Sequence, residues 1–308
     1  MKKVLAIVGP TASGKTGLSV DLAKKMNGEI ISADSRQVYR YVSIATAQPS
    51  EEMLNQVKHH YIGELELGEK FNAGEFGKSG RQIIEKIFLS GKQPIICGGS
   101  GLYIKSLIDG LFEEEIESSE AREELYELLE KYGEEYLYNE LKKVDRETYL
   151  RIPKGKIRRV IRALEVYRAT GEKISQLHKK TAEISFETIQ IGLMLDRKYL
   201  YERINCRVDE MMEKGLLREV RALSEAGFSY KTHNSLNTVG VKEVFKFFEG
   251  EYDELQMLRL IKQNSRRYAK RQMTWFRKDK RINWINVDEN SATDELAAKS
   301  IEIFKDKK

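Results

Sequence analysis

The sequence predicts an α/β protein, a parallel sheet flanked by helices that carries a phosphate loop and is interrupted by an all-helical insertion. Three observations predict it. Short apolar runs at residues 4–8, 29–32 and 94–97 each end in glycine or polar clusters, as strands buried on both faces do. Segments with helical spacing separate them, which implies a parallel sheet. Residues 113–180 show helical spacing and no strand pattern, and strand character resumes at 189–195.

Each element has its own signal. The run at 4–8 is a buried strand that enters a glycine loop. Residues 16–26 place Leu18, Leu22 and Met26 near one helical face and stop at Asn27-Gly28, a helix-end signal. Residues 29–32 read as the second strand. Residues 83–89 close a helix that Gly91 ends, and 94–97 form a third strand stopping at Gly98-Gly99. In the insertion, Leu125, Leu128, Leu129 and Tyr132 have helical spacing, as do Ile157, Val160, Ile161 and Leu164. The last strand is expected at 282–287. The expected division is a discontinuous core domain, 1–112 with 186–308, around a helical insertion domain at 113–185.

Composition removes several classes. With 308 residues, 41% hydrophobic and 33% charged, the chain buries a full core and is not a disordered polymer. No run of about 18 apolar residues exists, so no membrane helix is expected. The apolar stretch after Met1-Lys2-Lys3 is too short for a leader peptide. Cys97 and Cys206 form neither a disulfide framework nor a zinc set, and a reducing cytoplasm is the expected location. The net charge of +5 is unevenly spread. Acids dominate 113–140, a run read as a solvated face. Basic residues dominate 154–168 (Lys154, Lys156, Arg158, Arg159, Arg162, Arg168) and 259–281.

Gly9-Pro10-Thr11-Ala12-Ser13-Gly14-Lys15-Thr16 matches G-x-x-x-x-G-K-[ST] between a strand and a helix. Glycines let successive N–H groups curl around a polyanion, and the helix amino terminus adds positive charge. Lys15 puts an ammonium on the phosphates, and the Thr16 hydroxyl can hold Mg²⁺. The motif specifies a diphosphate without specifying a nucleotide. The strand at 94–97 runs into Gly98-Gly99-Ser100-Gly101 with no carboxylate to order a metal, which disfavours ordinary nucleotide hydrolysis. After the second strand comes Asp34-Ser35-Arg36-Gln37. At the carboxyl edge of a parallel sheet Asp34 faces the same crevice as the loop. It is either a base for a nucleophile or an N-cap, and both readings stand.

The block from Ser265 to Lys278 interleaves cations with aromatics, and Arg259, Lys262, Arg266 and Lys270 fall on one helical face. Such a stripe suits a phosphate backbone. Trp275 and Phe276 either stack on bases or belong to the core. The helix with Arg158, Arg159 and Arg162 has the same basic character.

Seven segments together resemble the tRNA dimethylallyltransferase family, also called tRNA isopentenyltransferases, of bacterial type. They are GPTASGKT at 9–16, ADSRQVY at 33–39, GGSGLY at 98–103, RRVIRALEVYRATG at 158–171, LDRKYLYERIN at 195–205, RVDEMMEKGLLREVRAL at 207–223 and RRYAKRQMTWFRKD at 266–279. Their joint order and spacing carry the resemblance over nearly the whole chain. It implies transfer of a dimethylallyl group from dimethylallyl diphosphate to N6 of the adenosine 3′ to a tRNA anticodon, with Mg²⁺; a monomer is expected, although the sequence does not give the oligomeric state. By resemblance Asp34 is the general base, and Thr11, Lys15, Thr16 and Arg207 hold the diphosphate. Asp34, Ser35, Arg36, Gln37, Ser100, Arg122 and the run Arg158, Arg159, Val160, Ile161, Arg162 touch the anticodon stem-loop. Departures from the family pattern are Gln48 for lysine, Val241 for tyrosine and Gly63 for aspartate. Two other readings compete: a P-loop kinase of a small metabolite, and a non-enzymatic RNA-binding protein that uses the loop to sense nucleotide.

Overall fold

The computed structural model describes residues 2–110, 118–179 and 183–306. The chain divides into two compact units, Met1–Ile108 with Ser185–Lys308, and Asp109–Ile184. The boundary expected between 112 and 113 lies outside the described residues. In chain order the elements are β1 (Lys2–Val8), α1 (Lys15–Met26), β2 (Gly28–Ala33), α2 (Glu51–Gln56), β3 (His59–His60), α3 (Ala73–Leu89), β4 (Gln93–Gly98) and α4 (Gly101–Asp109). Then come α5 (Ser119–Val144), α6 (Arg146–Arg151), α7 (Ile157–Thr170) and α8 (Ile174–Leu177). The chain returns through β5 (Phe186–Leu195), α9 (Arg197–Glu213), α10 (Leu216–Glu225), α11 (Val241–Phe248), α12 (Glu254–Phe276), β6 (Asn283–Val287) and α13 (Thr293–Asp306).

The first unit is built on a six-stranded sheet of order β3-β2-β4-β1-β5-β6, parallel throughout. Leu5 of β1 lies opposite Ile95 on one side and Ile189 on the other. Val4, Leu5, Ala6, Ile7 and Val8 are fully buried, which is why β1 is an unbroken apolar run rather than an alternating one. Truncating Ile7 to alanine would cost about 2–5 kcal/mol. The edge strand β3 carries no apolar signal, because its two residues are both histidine. The start of α3 is set by a capping box in which the Asn72 side chain accepts from the Glu75 amide and Glu75 accepts from the Asn72 amide.

The second unit has its own core, with Leu125, Leu137 and Leu141 of α5 against Val160, Ile161 and Leu164 of α7. Among its described residues there is no strand. Gly133, at φ 79°, breaks α5 into two helical stretches. The buried Asp145 caps α6 through the Thr148 amide at 3.0 Å and accepts the Ser175 amide at 3.0 Å.

Candidate active site

β1 ends at Val8, and Gly9 turns the chain with φ 150°. A Cβ on Gly9 would stand 3.2 Å from the Leu193 carbonyl oxygen, and Gly14, at φ 92°, leads into α1. Both positions therefore favour glycine. Lys15 folds its ammonium over the loop, donating to the Pro10 carbonyl at 2.6 Å and to Ser13 Oγ at 3.4 Å. Arg203 of α9 braces the loop from outside, donating from Nε to the Ala12 carbonyl at 2.9 Å.

At the carboxyl edge of the sheet lies a cavity of about 320 Å³. Thr11, Lys15 and Thr16 line it from the loop, Asp34 from beyond β2, Arg207 from α9 and Tyr268 from α12. Gly9, Pro10, Ala12, Ser13 and Gly14 shape the loop without lining the cavity. Asp34 caps the backbone that follows it and also faces the cavity. Its Oδ1 accepts the amides of Arg36 at 2.9 Å and Gln37 at 3.4 Å, capping a turn, while the residue faces the cavity. A turn follows it, not a helix.

Electrostatics follow from enclosure. Burial draws the Lys15 ammonium down to about 8, with Arg207 pulling the same way and Asp34 opposing. Burial also lowers Arg207, against the opposing pull of Asp34 and Glu210. The Tyr268 hydroxyl is pushed up to about 12 by burial, helped by Asp34. Among the described residues no group of three or more His, Cys, Asp or Glu could hold a metal. The Thr16 hydroxyl beside a diphosphate suits Mg²⁺, which is commonly held through phosphate oxygens.

The segment after Asp34 is tightly fastened. The Ser35 amide donates to Ser100 Oγ at 3.1 Å. Arg36 lines the cavity and donates to the Asn234 carbonyl at 2.6 Å. The Gln37 carboxamide is committed to protein, donating to the carbonyls of Thr46 and Ala47 at 3.2 and 2.9 Å. Gln48, the departure from lysine, donates to the carbonyls of Gln37 and Tyr39 at 2.8 and 2.9 Å. It is a fastener of the same loop.

The expected RNA-facing cations divide. Arg158 and Arg159 on α7 are exposed. Arg122 and Arg162 converge on Glu165, at 3.0 and 3.3 Å, a carboxylate only 1% exposed. Val160 and Ile161 are corrected: their side chains lie in the core of the helical unit and offer nothing to a surface ligand. Helical periodicity turns them inward between the outward arginines. The cations of the α12 stripe divide as well. Lys262 pairs with Asp209 at 2.6 Å and Arg266 donates to Asn205 at 2.6 Å, so both hold α12 to α9, and Arg259 and Lys270 remain exposed. Phe276 is core at 2% exposure, whereas Trp275 is 41% exposed.

Sequence reading missed Arg203, Tyr268, Gln272 and Glu219. Glu219 of α10 accepts the amides of Ile44 and Ala45 at 2.8 and 2.9 Å. Tyr268 and Gln272 are four residues apart on α12, and that spacing was a usable signal that both share a face.

Among the described residues no helix is long and apolar enough to cross a membrane. A profile of the family described as IPP transferase matches residues 37–279. The chain is 44% identical to the tRNA dimethylallyltransferase of Cytophaga hutchinsonii over 289 residues, covering 94% of each. It is 43% identical to that of Acetivibrio thermocellus, covering 99% of this chain and 97% of the relative. The crystal structure of the tRNA isopentenylpyrophosphate transferase from Bacillus halodurans superposes with a TM-score of 0.73 at 36% identity, covering 99% and 97% of the two chains. A eukaryotic dimethylallyltransferase acting on tRNA gives a TM-score of 0.82 at 27% identity, covering 100% of this chain and 81% of the other.

Proposed function

Because the chain belongs to the IPP transferase family, we propose that it transfers a dimethylallyl group from dimethylallyl diphosphate to N6 of the adenosine 3′ to the anticodon of tRNAs. One observation carries the reading: the phosphate loop and a carboxylate on a separate loop face into a single cavity. A leaving group and a nucleophile need that pairing. The kinase reading is not carried forward, since the relatives named above are transferases acting on tRNA.

The N6 lone pair of adenine is delocalised into its ring, so the electrophile must do most of the work. Lys15, Arg207 and the loop amides take up charge as the allylic C–O bond breaks. The bond from N6 to that carbon forms, diphosphate leaves with the C–O electrons, and the N6 proton passes to Asp34. The amides of Arg36 and Gln37 hold Asp34 Oδ1, which fixes the carboxylate's direction. Thr16 would hold Mg²⁺, which when bound adds charge neutralisation at the diphosphate. The acceptor base must leave its stack to enter the cavity, which a loop nucleotide does at least cost. The exposed Arg158 and Arg159 bind phosphates of the stem-loop, and the work is cytoplasmic, where tRNA is.

The test is direct. Incubating the protein with labelled dimethylallyl diphosphate, Mg²⁺ and unmodified tRNA should place label on that adenosine. Label on no nucleotide, together with phosphate transfer from ATP to a small acceptor, would establish the kinase instead.

A further inference from the structure

Three hydrogen bonds, joined through the adjacent residues Gly99 and Ser100, run from the phosphate loop to the turn that carries Asp34, and a glutamine makes two of them. The Thr11 amide donates to Gln272 Oε1 at 2.9 Å. Gln272 Nε2 donates to the Gly99 carbonyl at 3.0 Å. Ser100, the next residue, accepts the Ser35 amide on its hydroxyl at 3.1 Å, and Ser35 adjoins Asp34. Gln272 is only 6% exposed. Its approach to Gly99 is so close that a Cβ there would lie 2.2 Å from Nε2.

The two reacting groups need this link. Transfer requires the allylic carbon and N6 to approach to roughly 3–3.5 Å in line. The first is placed by the loop after β1, the second by the loop after β2, and β4 lies between those strands. On the Asp34 side the sheet itself helps, since Ala33 pairs with Gly98 and accepts the Ser100 amide at 3.2 Å. Thr11 lies in the loop beyond Val8, the last paired residue of β1, where sheet bonding no longer fixes its spacing. An apolar side chain in place of Gln272 would fill the volume and leave the Thr11 amide to the diphosphate. The glutamine instead takes that donor out of the phosphate set and spends it on the link.

We propose that Gln272 is a positioning residue for the transfer. Its carboxamide sets the separation of the phosphate loop from the Gly99–Ser100 turn and, through Ser35, from Asp34. The inference rests on the transferase reading.

Two variants test it, Gln272→Met and Gln272→Glu, assayed beside the wild type with dimethylallyl diphosphate and unmodified tRNA, with thermal melts run in parallel. Gln272→Met keeps the length and loses both bonds. Its kcat should fall about 10- to 100-fold, with both KM values within about threefold of wild type. In Gln272→Glu the ionised carboxylate accepts from Thr11 but cannot donate to Gly99. Protonation restores a donor, and burial lifts such a carboxyl into the range of about pH 5.5–8.5. The ratio of variant to wild-type kcat should therefore climb as pH falls through that range.

Full kcat in Gln272→Met with a lowered Tm would reduce the residue to a structural brace and overturn the proposal. A loss confined to KM, or a flat pH ratio for Gln272→Glu, would overturn it too. If Gln272→Met does not fold, the pH ratio decides alone. A wild type that leaves tRNA unmodified would sink the transferase reading, and the positioning role with it. That failure appears before any variant is compared.

Discussion

Lys15 and Arg207 in the sheet unit are recessed in a cavity, whereas Arg158 and Arg159 in the helical unit stand in solvent. The first pair is half-buried in the cavity wall, and burial lowers the pKa of both. The second pair keeps its hydration and is screened by salt. Enclosed charge suits stabilising a small leaving group at a fixed point. Exposed charge suits a long polyanion whose affinity comes from many replaceable contacts. On the proposed function, the recessed pair would serve the rate and the exposed pair the affinity for RNA, a division that can be broken.

The largest expected effect is at Asp34. Asp34→Asn keeps the turn-capping oxygen but removes the base, so kcat should fall by on the order of 10²–10⁴. Diphosphate affinity, read by calorimetry, should stay near wild type. A matching loss of diphosphate binding would assign Asp34 to the metal side.

Next comes Lys15. Lys15→Met should lower kcat/KM by about 10²–10³ and raise stability by on the order of 1 kcal/mol, because a buried ammonium is removed. The sign follows from linkage. The folded-state value of about 8 lies below the unfolded 10.5, so the unfolded chain binds more protons between those values. Wild-type stability from this group therefore rises with pH across that window, a slope that Lys15→Met should lack in denaturant titrations. Diphosphate binding should weaken as pH rises past about 8, when Lys15 loses its proton.

Smaller again is the effect on the helical unit. Arg158→Ala with Arg159→Ala should weaken tRNA binding about tenfold and reduce the salt slope by about one to two. Diphosphate binding should not change. Arg162→Ala should behave differently. It removes a counter-charge from the buried Glu165 and should lower stability by about 1–3 kcal/mol. If its whole effect appears in the salt slope, the division between exposed and anchored arginines is wrong.

The smallest effect is expected at Tyr41, 60% exposed with φ 65°. A glycine there would relieve the left-handed strain, so Tyr41→Gly should raise stability by about 1 kcal/mol, read as a higher Tm.

The phosphate loop, Asp34 and the arginines of α7 were legible because each signal is local: a spacing of glycines, a strand end, a helical period. What escaped was long-range pairing. Gln272 and Thr11 are 261 positions apart, and no pattern within a helix announces such a partner. The same holds for the partners of Lys262 and Arg266, since Asp209 and Asn205 lie on another helix. Periodicity showed that Val160 and Ile161 face inward, but the family resemblance placed the whole run Arg158–Arg162 on RNA. Burial decides that point for the two apolar members.

The place of β1 in the sheet has a consequence for biosynthesis. β1 is made well before its neighbour β5, which begins only at Phe186, after the entire helical unit has been translated. Until then one side of β1 is an open hydrogen-bonding edge on an apolar strand, the kind of surface that recruits other chains. The helical unit has a core of its own and, among its described residues, no strand to cover that edge. Until β5 is made the sheet stays unfinished, and crowding or heat would act first on that nascent edge.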